Sequence, residues 1–405
     1  MKGKGRLALL LVPVLVMVSC GRAPARRQQT EVSPSSGILT EQLSARPSPP
    51  ESSPLPQEQM EAFFRKGSSS YGRNLLNGVQ QTAYDKILAC VFAFSDTAEI
   101  SLPDGDSLNR VITFLLRDYP GISWLSSRYR YEMNSKGQVI SLRPEYTKEK
   151  SLALKEAAAI KAAAEQLTEG IDPSLSDFHK ALILHDRLCQ WVEYDPDAPN
   201  PQKLYGALGE GRATCEGYAK GYQFLLSLLG LEALIVYGEA AGSVHAWNIV
   251  RLDGDCYLAD PTWGDAKLDS GETYLSHEYL FLDEESFSRS HTAYGEEHNY
   301  PLPSCSSMEQ NYFLQRGTVL SEEGMDSLQK AIQTALDAAM ADTSNAVQIR
   351  FATPALAALI DSRYIETGEA DRFFQEKAAQ RGKTALGRTY SVRSHVLTYL
   401  IENST

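Results

Sequence analysis

A cysteine, a histidine and an aspartate stand in chain order between Ala213 and Asp265, each at the edge of a different element. Cys215 heads an amphipathic stretch, His245 opens a strand-like run, and Asp260 closes the next one. A thiol nucleophile, an imidazole base and a carboxylate that orients the base are the parts of a thiol acyl-transfer site. Such a site breaks and makes carboxamide or peptide bonds through a thioester. Read singly, each residue has a plainer explanation: a small buried hydrophobe, a structural strand histidine, a turn aspartate before Pro261. It is the set, with its flanks, that points to chemistry.

The elements that must hold these groups follow from spacing. Cys215, Tyr218, Ala219, Tyr222, Leu225, Leu226 and Leu229 fall on one helical face, with Thr214 at the N-cap position and Gly230 as the stop. Cys215 then lies in the first turn, where free amides and the positive end of the helix dipole pull its pKa below the roughly 8.5 of an ordinary thiol. Gly217 and Gly221 each cost about 1 kcal/mol relative to alanine inside a helix. The expected compensation is a bare flank against which strand backbone packs, bringing a sheet histidine toward the sulfur. His245 to Arg251 and Cys256 to Asp260 flank Leu252-Asp253-Gly254-Asp255, a hairpin signal centred on Asp-Gly. With a two- or four-residue loop, Trp247 lies opposite Asp260 and His245 is its diagonal neighbour, about 7 Å away at the backbone. A three-residue loop or a bulge would throw Asp260 to the other face.

Four blocks carry a family resemblance: Tyr205-Gly206-Ala207-Leu208, Ala213-Thr214-Cys215-Glu216-Gly217-Tyr218-Ala219, His245-Ala246-Trp247-Asn248, and Tyr257-Leu258-Ala259-Asp260-Pro261-Thr262-Trp263. Upstream, His185-Asp186-Arg187-Leu188 and Val192-Glu193-Tyr194-Asp195 look like the helix that precedes the nucleophile. Over roughly residues 150 to 300 the chain resembles the bacterial transglutaminase-like superfamily, a papain-related group of cysteine enzymes. The resemblance implies an α+β fold whose papain/transglutaminase-like core packs a nucleophile at a helix N-terminus on an antiparallel sheet. It implies a Cys215 nucleophile, a His245 base and an Asp260 orienter, with Tyr205 and the backbone N–H of Cys215 as oxyanion candidates. Trp247 and Trp263 would flank the cleft and exclude water, though both read equally well as core.

Composition bounds the alternatives. At 405 residues the chain suits two or three domains, and its apolar and charged fractions are those of a soluble globular protein. A formal charge of −12, with no basic stripe beyond Arg26-Arg27, argues against a nucleic-acid partner. Lys2, Lys4 and Arg6 precede an apolar run from Leu7 to Val18, which reads as a secretory signal over residues 1–19. Met17-Val18-Ser19-Cys20 resembles a lipoprotein box, with acylation expected at Cys20; Met17 in place of the usual leucine leaves ordinary cleavage open. The expectation is an exported protein held to the membrane by lipid on the extracytoplasmic face. Residues 20–56, rich in proline, serine and glutamine, read as a disordered tether.

The flanks carry no recognised motif. Residues 57–150 read as a small α+β domain: helices from Gln57 to Lys66, Asn74 to Leu88 and Ser107 to Arg117, a strand around Val91 to Phe94, and a hairpin of Tyr129 to Met133 with Val139 to Leu142. Two helices, Lys148 to Leu167 and Leu175 to Tyr194, lead into the core domain of residues 151–304. Residues 305–405 read as a second small α/β domain, with a helix from Met325 to Met340, a strand from Ala346 to Ala352, a helix opened by Thr353-Pro354, and a closing strand from Tyr390 to Ile401. His179 and His185 lie six apart, off one helical face, and read as solvent or core histidines rather than ligands. Cys90, Cys189, Cys256 and Cys305 permit three pairings, with buried free thiols at least as good a reading.

His277-Glu278-Tyr279-Leu280-Phe281 starts like a zinc-protease helix but has phenylalanine where the second histidine belongs. Gly206 to Gly211 has phosphate-loop spacing, yet Arg212 and Ala213 replace the lysine and hydroxyl. No metal or cofactor is therefore expected. The expected activity is peptidase, amidase or cross-linking acyl transfer on an envelope or extracellular protein or peptide. The alternative is a non-catalytic envelope binding or assembly module that retains the fold.

Overall fold

The structure, a computed structural model, describes residues 6–11, 53–268, 271–294, 300–342 and 344–404. Cys20 lies outside them. No helix of the described residues is long and apolar enough to cross a membrane. Arg6–Leu11 pairs antiparallel with Leu125–Met133 as an outer strand.

The central sheet has five antiparallel strands in the order Leu280–Leu282, Asp255–Ala259, Ser243–Leu252, Ala233–Ala240 and His291–Ala293. Its hairpin turns on two residues: Leu252 pairs with Asp255, and Asp253 and Gly254 take φ of 50° and 97°. Two-residue hairpin turns require that left-handed backbone, which is what Asp-Gly supplies. Asn248 pairs with Ala259, so the expected register holds and Trp247 faces Asp260. The edge strand brings Thr292 O and Ala293 Cα so close to Gly238 that a Cβ there would lie 2.2 Å from the first and 2.9 Å from the second.

Helix Cys215–Leu228 lies across this sheet. Ala219 packs with Ile235 and Ala246, and Asn248 Nδ2 donates to Ala219 O (3.0 Å) and Leu234 O (3.2 Å), tying strand and helix together. The two helix glycines do something other than expected. A Cβ on Gly217 would meet Ala213 Cβ at 2.5 Å and Pro201 O at 2.8 Å, and one on Gly221 would meet Leu188 at 3.1 Å. The bare flank therefore receives the preceding loop and helix Asp177–Trp191, and alanine makes the sheet contact.

Around the sheet runs one continuous apolar core. It includes Met60, Phe64, Val91, Phe114, Trp124 and Leu142 from the N-terminal part together with Leu184, Phe224 and Tyr257 from the centre. The Phe224 ring lies 5.1 Å from Phe63 and 5.9 Å from Phe64. In the N-terminal part, helices Gln57–Lys66, Gly78–Ala93 and Gly105–Asp118 accompany a sheet ordered Arg6–Leu11, Leu125–Met133, Val139–Tyr146, Ala98–Leu102. The helix expected from Asn74 starts at Gly78, because Asn77 and Gln80 form a capping box. The strand expected at Val91 to Phe94 is instead that helix's end, stopped by Phe94 at φ 55°. A four-residue apolar run does not distinguish strand from buried helix, and the strand falls at Ala98–Leu102.

The C-terminal part has its own core, including Leu328, Ile332, Leu336, Ile349, Phe374 and Ile401. Its sheet is ordered Val319–Leu320, Ala346–Phe351, Val396–Asn403, Lys383–Ser391. The expected single closing strand is a hairpin, reversed near His395 at φ 54° without a Gly or Pro signal. Thr353 accepts from Leu356 N as the cap before Pro354, as its sequence predicts.

Candidate active site

Asp260 sits where the strand Asp255–Ala259 hands over to the short helix Pro261–Gly264, and it caps that helix. Its Oδ1 accepts from Thr262 N (2.9 Å) and Trp263 N (3.3 Å). Its Oδ2 accepts from His245 Nε2 (2.8 Å) and His291 Nε2 (3.2 Å). Burial alone would push this carboxyl up, but His245 and then His291 outweigh it and hold Asp260 well below the usual carboxylate range. An ionised carboxylate only accepts, so His245 Nε2 must carry a proton. Nδ1 is then the basic atom of the neutral ring.

Cys215 is buried at the head of its helix with Ala219, Ile235 and Ala246, the last being the residue after His245; Tyr194 and Tyr237 pack on this cluster. Thr214 holds the N-cap position without capping, since its hydroxyl and amide both donate to Pro201 O, at 3.2 and 2.8 Å. No side chain caps the first turn, which leaves its amide donors to an anion. Cys90, Cys189, Cys256 and Cys305 are free and buried. Among them, Cys256 and Cys305 share an apolar cluster and hydrogen-bond to each other.

The remaining candidates separate. Tyr205 opens a π-helical turn, Tyr205–Glu210, with its ring over Gly209, and burial followed by Glu210 and Glu156 raises its hydroxyl pKa. The tyrosines on the Cys215 cluster are Tyr194 and Tyr237 instead. Burial and then Asp260 raise the Tyr194 pKa, which places its hydroxyl in the field of the same carboxylate. Trp247 is core, packed with Leu234, Val236 and Phe287, yet its ring stacks on His245 at 6.1 Å. Trp263 is half-buried and lies 5.7 Å from His245 on another side. His291 is the residue that sequence reasoning missed. It arrives by pairing with Ala240 on the sheet edge, and an isolated histidine with no patterned flank gives no signal for that.

A second histidine-aspartate group lies beneath the Asp260 turn. Asp186 Oδ1 is 2.8 Å from His185 Nδ1 and 2.9 Å from His277 Nε2, and His277 Nδ1 reaches Gln348 Oε1 at 2.9 Å. His185 is thus a core histidine, and exposed His179 serves the Ser176 cap region. Both groups bring together donors of a type that binds transition metals. Their nitrogen-oxygen separations of 2.8 to 3.2 Å are those of hydrogen bonds, and Asp260 already has two amides and two imidazoles on its oxygens. In this arrangement they hold protons.

A cysteine at a helix N-terminus across an antiparallel sheet that carries a histidine-aspartate pair defines an α+β core of the papain kind. Residues 161–261 match the family model described as the Transglutaminase-like superfamily. Kyphoscoliosis peptidase of Mus musculus is 27% identical over 138 residues, 29% of this chain and 21% of that protein. The Homo sapiens protein of the same name is 28% identical over 165 residues, 33% of this chain and 25% of its own. The chain therefore matches about a fifth to a quarter of the length of these relatives. A solved structure described as a TGase is 16% identical, covers 36% of this chain and 47% of its own, and has a TM-score of 0.26.

Proposed function

We propose that the protein is a cysteine acyl-transfer enzyme of the envelope, a peptidase, amidase or cross-linking transferase, in which Cys215 attacks a carboxamide or peptide carbonyl. The observation that carries this reading is the His245–Asp260 hydrogen bond at 2.8 Å, with His245 directly before Ala246, a packing neighbour of Cys215. The thiolate forms the sulfur-carbon bond, and the carbonyl electron pair moves onto oxygen, facing the uncapped amides of the first helical turn. Collapse expels the amine, which takes a proton from His245 Nδ1 and leaves a thioester. Water or a second amine resolves it, returning its proton to His245. Export and lipid attachment at Cys20 belong to the same proposal and rest on the sequence alone.

The rival reading is a non-catalytic envelope binding or assembly module that retains the fold. One experiment separates the two. Protein from residue 57 onward is treated with a low dose of iodoacetamide at about pH 6, where ordinary thiols near pKa 8.5 are protonated, with and without prior mild reduction. The expected result is selective mass-spectrometric labelling of Cys215 after reduction, lost in His245→Ala, with amidase or amine-transfer activity absent in Cys215→Ala. Even labelling of all reduced cysteines, or turnover surviving in Cys215→Ala, would favour the module.

A further inference from the structure

We propose that His291 is a positioning residue of this site, one that fixes Asp260 and sets how tightly His245 holds its proton; the proposal rests on the Cys215, His245 and Asp260 reading above. His291 comes from the sheet's far edge, 31 residues beyond Asp260, to donate to the same carboxylate oxygen as His245, at 3.2 Å. Its ring is boxed by aromatic neighbours: Phe287 at 4.0 Å, Trp263 at 4.5 Å, Trp247 at 5.1 Å and Tyr279 at 5.2 Å. Burial in this box lowers the His291 pKa against the opposing pull of Asp260, and His245 adds to the lowering. The ring is therefore neutral.

Because Asp260 only accepts, the one proton of neutral His291 sits on Nε2, while Nδ1 lies 2.8 Å from Ser290 Oγ, whose hydroxyl also reaches Phe287 O at 3.3 Å. Asp260 thus fixes the tautomer. The ionisable groups that act on His291 are Asp260 and His245, with the Tyr279 ring packed beside it. The other charged groups of nearby elements look elsewhere: Glu239 lies across from exposed Thr292, and Arg289 turns to Glu285 at 3.9 Å.

Two consequences follow for Asp260. With two amides on Oδ1 and two imidazoles on Oδ2, the carboxylate cannot turn without breaking several bonds at once. It also gives part of its charge to His291, so protonated His245 faces a weaker counter-charge than a lone aspartate would provide. Without His291, the carboxylate would be free to rock and would hold the His245 proton to higher pH.

The test follows the rate of Cys215 alkylation in reduced protein by mass spectrometry, from about pH 4 to about pH 10, a span that brackets free histidine and cysteine titration. In His291→Ala the alkaline limb should move up by about one pH unit, with the maximal rate down about fivefold. His291→Gln, which still presents an N–H to Asp260, should restore both. His291→Phe, which keeps an aromatic ring in the box but presents no N–H to Asp260, should displace the limb in the same direction as His291→Ala, and it decides the matter if His291→Ala does not fold. An unmoved limb in His291→Ala or His291→Phe, or equal displacement in His291→Gln and His291→Ala, overturns the proposal. His245→Ala runs in parallel: an unchanged Cys215 profile there would mean that the parent reading has failed.

Discussion

Asp260 is the residue on which the site's electrostatics converge, so its charge can be tested apart from its shape. In Asp260→Asn an amide replaces one acceptor oxygen, and a donor facing His245 Nε2–H would force the imidazole into the wrong tautomer. By analogy with the serine triads, activity should fall by about 10³ to 10⁴ with the fold intact, read as kcat/KM or as the Cys215 alkylation rate. The pH dependence has a definite sign. The folded carboxyl lies below its unfolded value of about 3.9, so its stabilisation is present above that pH and is lost as pH falls through the folded value. Melting curves of wild type and Asp260→Asn should thus differ most near neutrality and converge in acid. At this scale the chain was partly legible. Cys215, His245 and Asp260 announce themselves because each has aromatic and small-residue flanks in the right order. His291 could not, since a long-range edge pairing brings it in.

At the scale of elements, the Asp253-Gly254 turn decided the geometry: its two positive φ values leave one register, and that register alone puts Asp260 on the His245 face. Turn chemistry of this kind is local and can be read in advance. What the helix glycines touch is tertiary and could not be, which is why Gly217 and Gly221 accept a loop and a helix rather than the sheet. The same holds for Gly264, at the end of the Asp260 turn. A Cβ there would lie 2.4 Å from His185 Nε2 and 2.8 Å from Cys189 Sγ, both buried and held by neighbours. Gly264→Ala should therefore push the turn off the Asp177–Trp191 helix, at a cost of about 1–3 kcal/mol in denaturant unfolding. Alkylation of Cys215 should slow with it, because the displaced turn carries Asp260; normal reactivity in a destabilised variant would uncouple the two.

At the scale of the whole molecule, His277 joins the centre to the C-terminal part. Gln348 Oε1 accepts from both His277 N (3.1 Å) and Nδ1 (2.9 Å), and Asp186 accepts from Nε2, so both ring nitrogens carry protons. Burial lowers the His277 pKa, but Asp186 outweighs it and the net shift is upward. The resulting stabilisation is complete below the unfolded value of about 6.5 and is lost as pH rises through the folded one. Gln348→Leu strands two buried N–H donors and should cost about 1–3 kcal/mol at mildly acidic pH; equal stability by chemical denaturation would deny the link a role. None of this was legible beforehand, because Gln348 and His277 lie 71 residues apart and each reads locally as an ordinary polar residue. The continuous core that runs from Met60 to Tyr257 bears on what folds together. The stretch that matches the family model, residues 161–261, does not end at a surface of this core. Phe224 finishes its packing on Phe63 and Phe64, outside that stretch. Cut out at those bounds, the stretch would expose the Phe224 face to water, so what folds as a unit here is larger than what is matched.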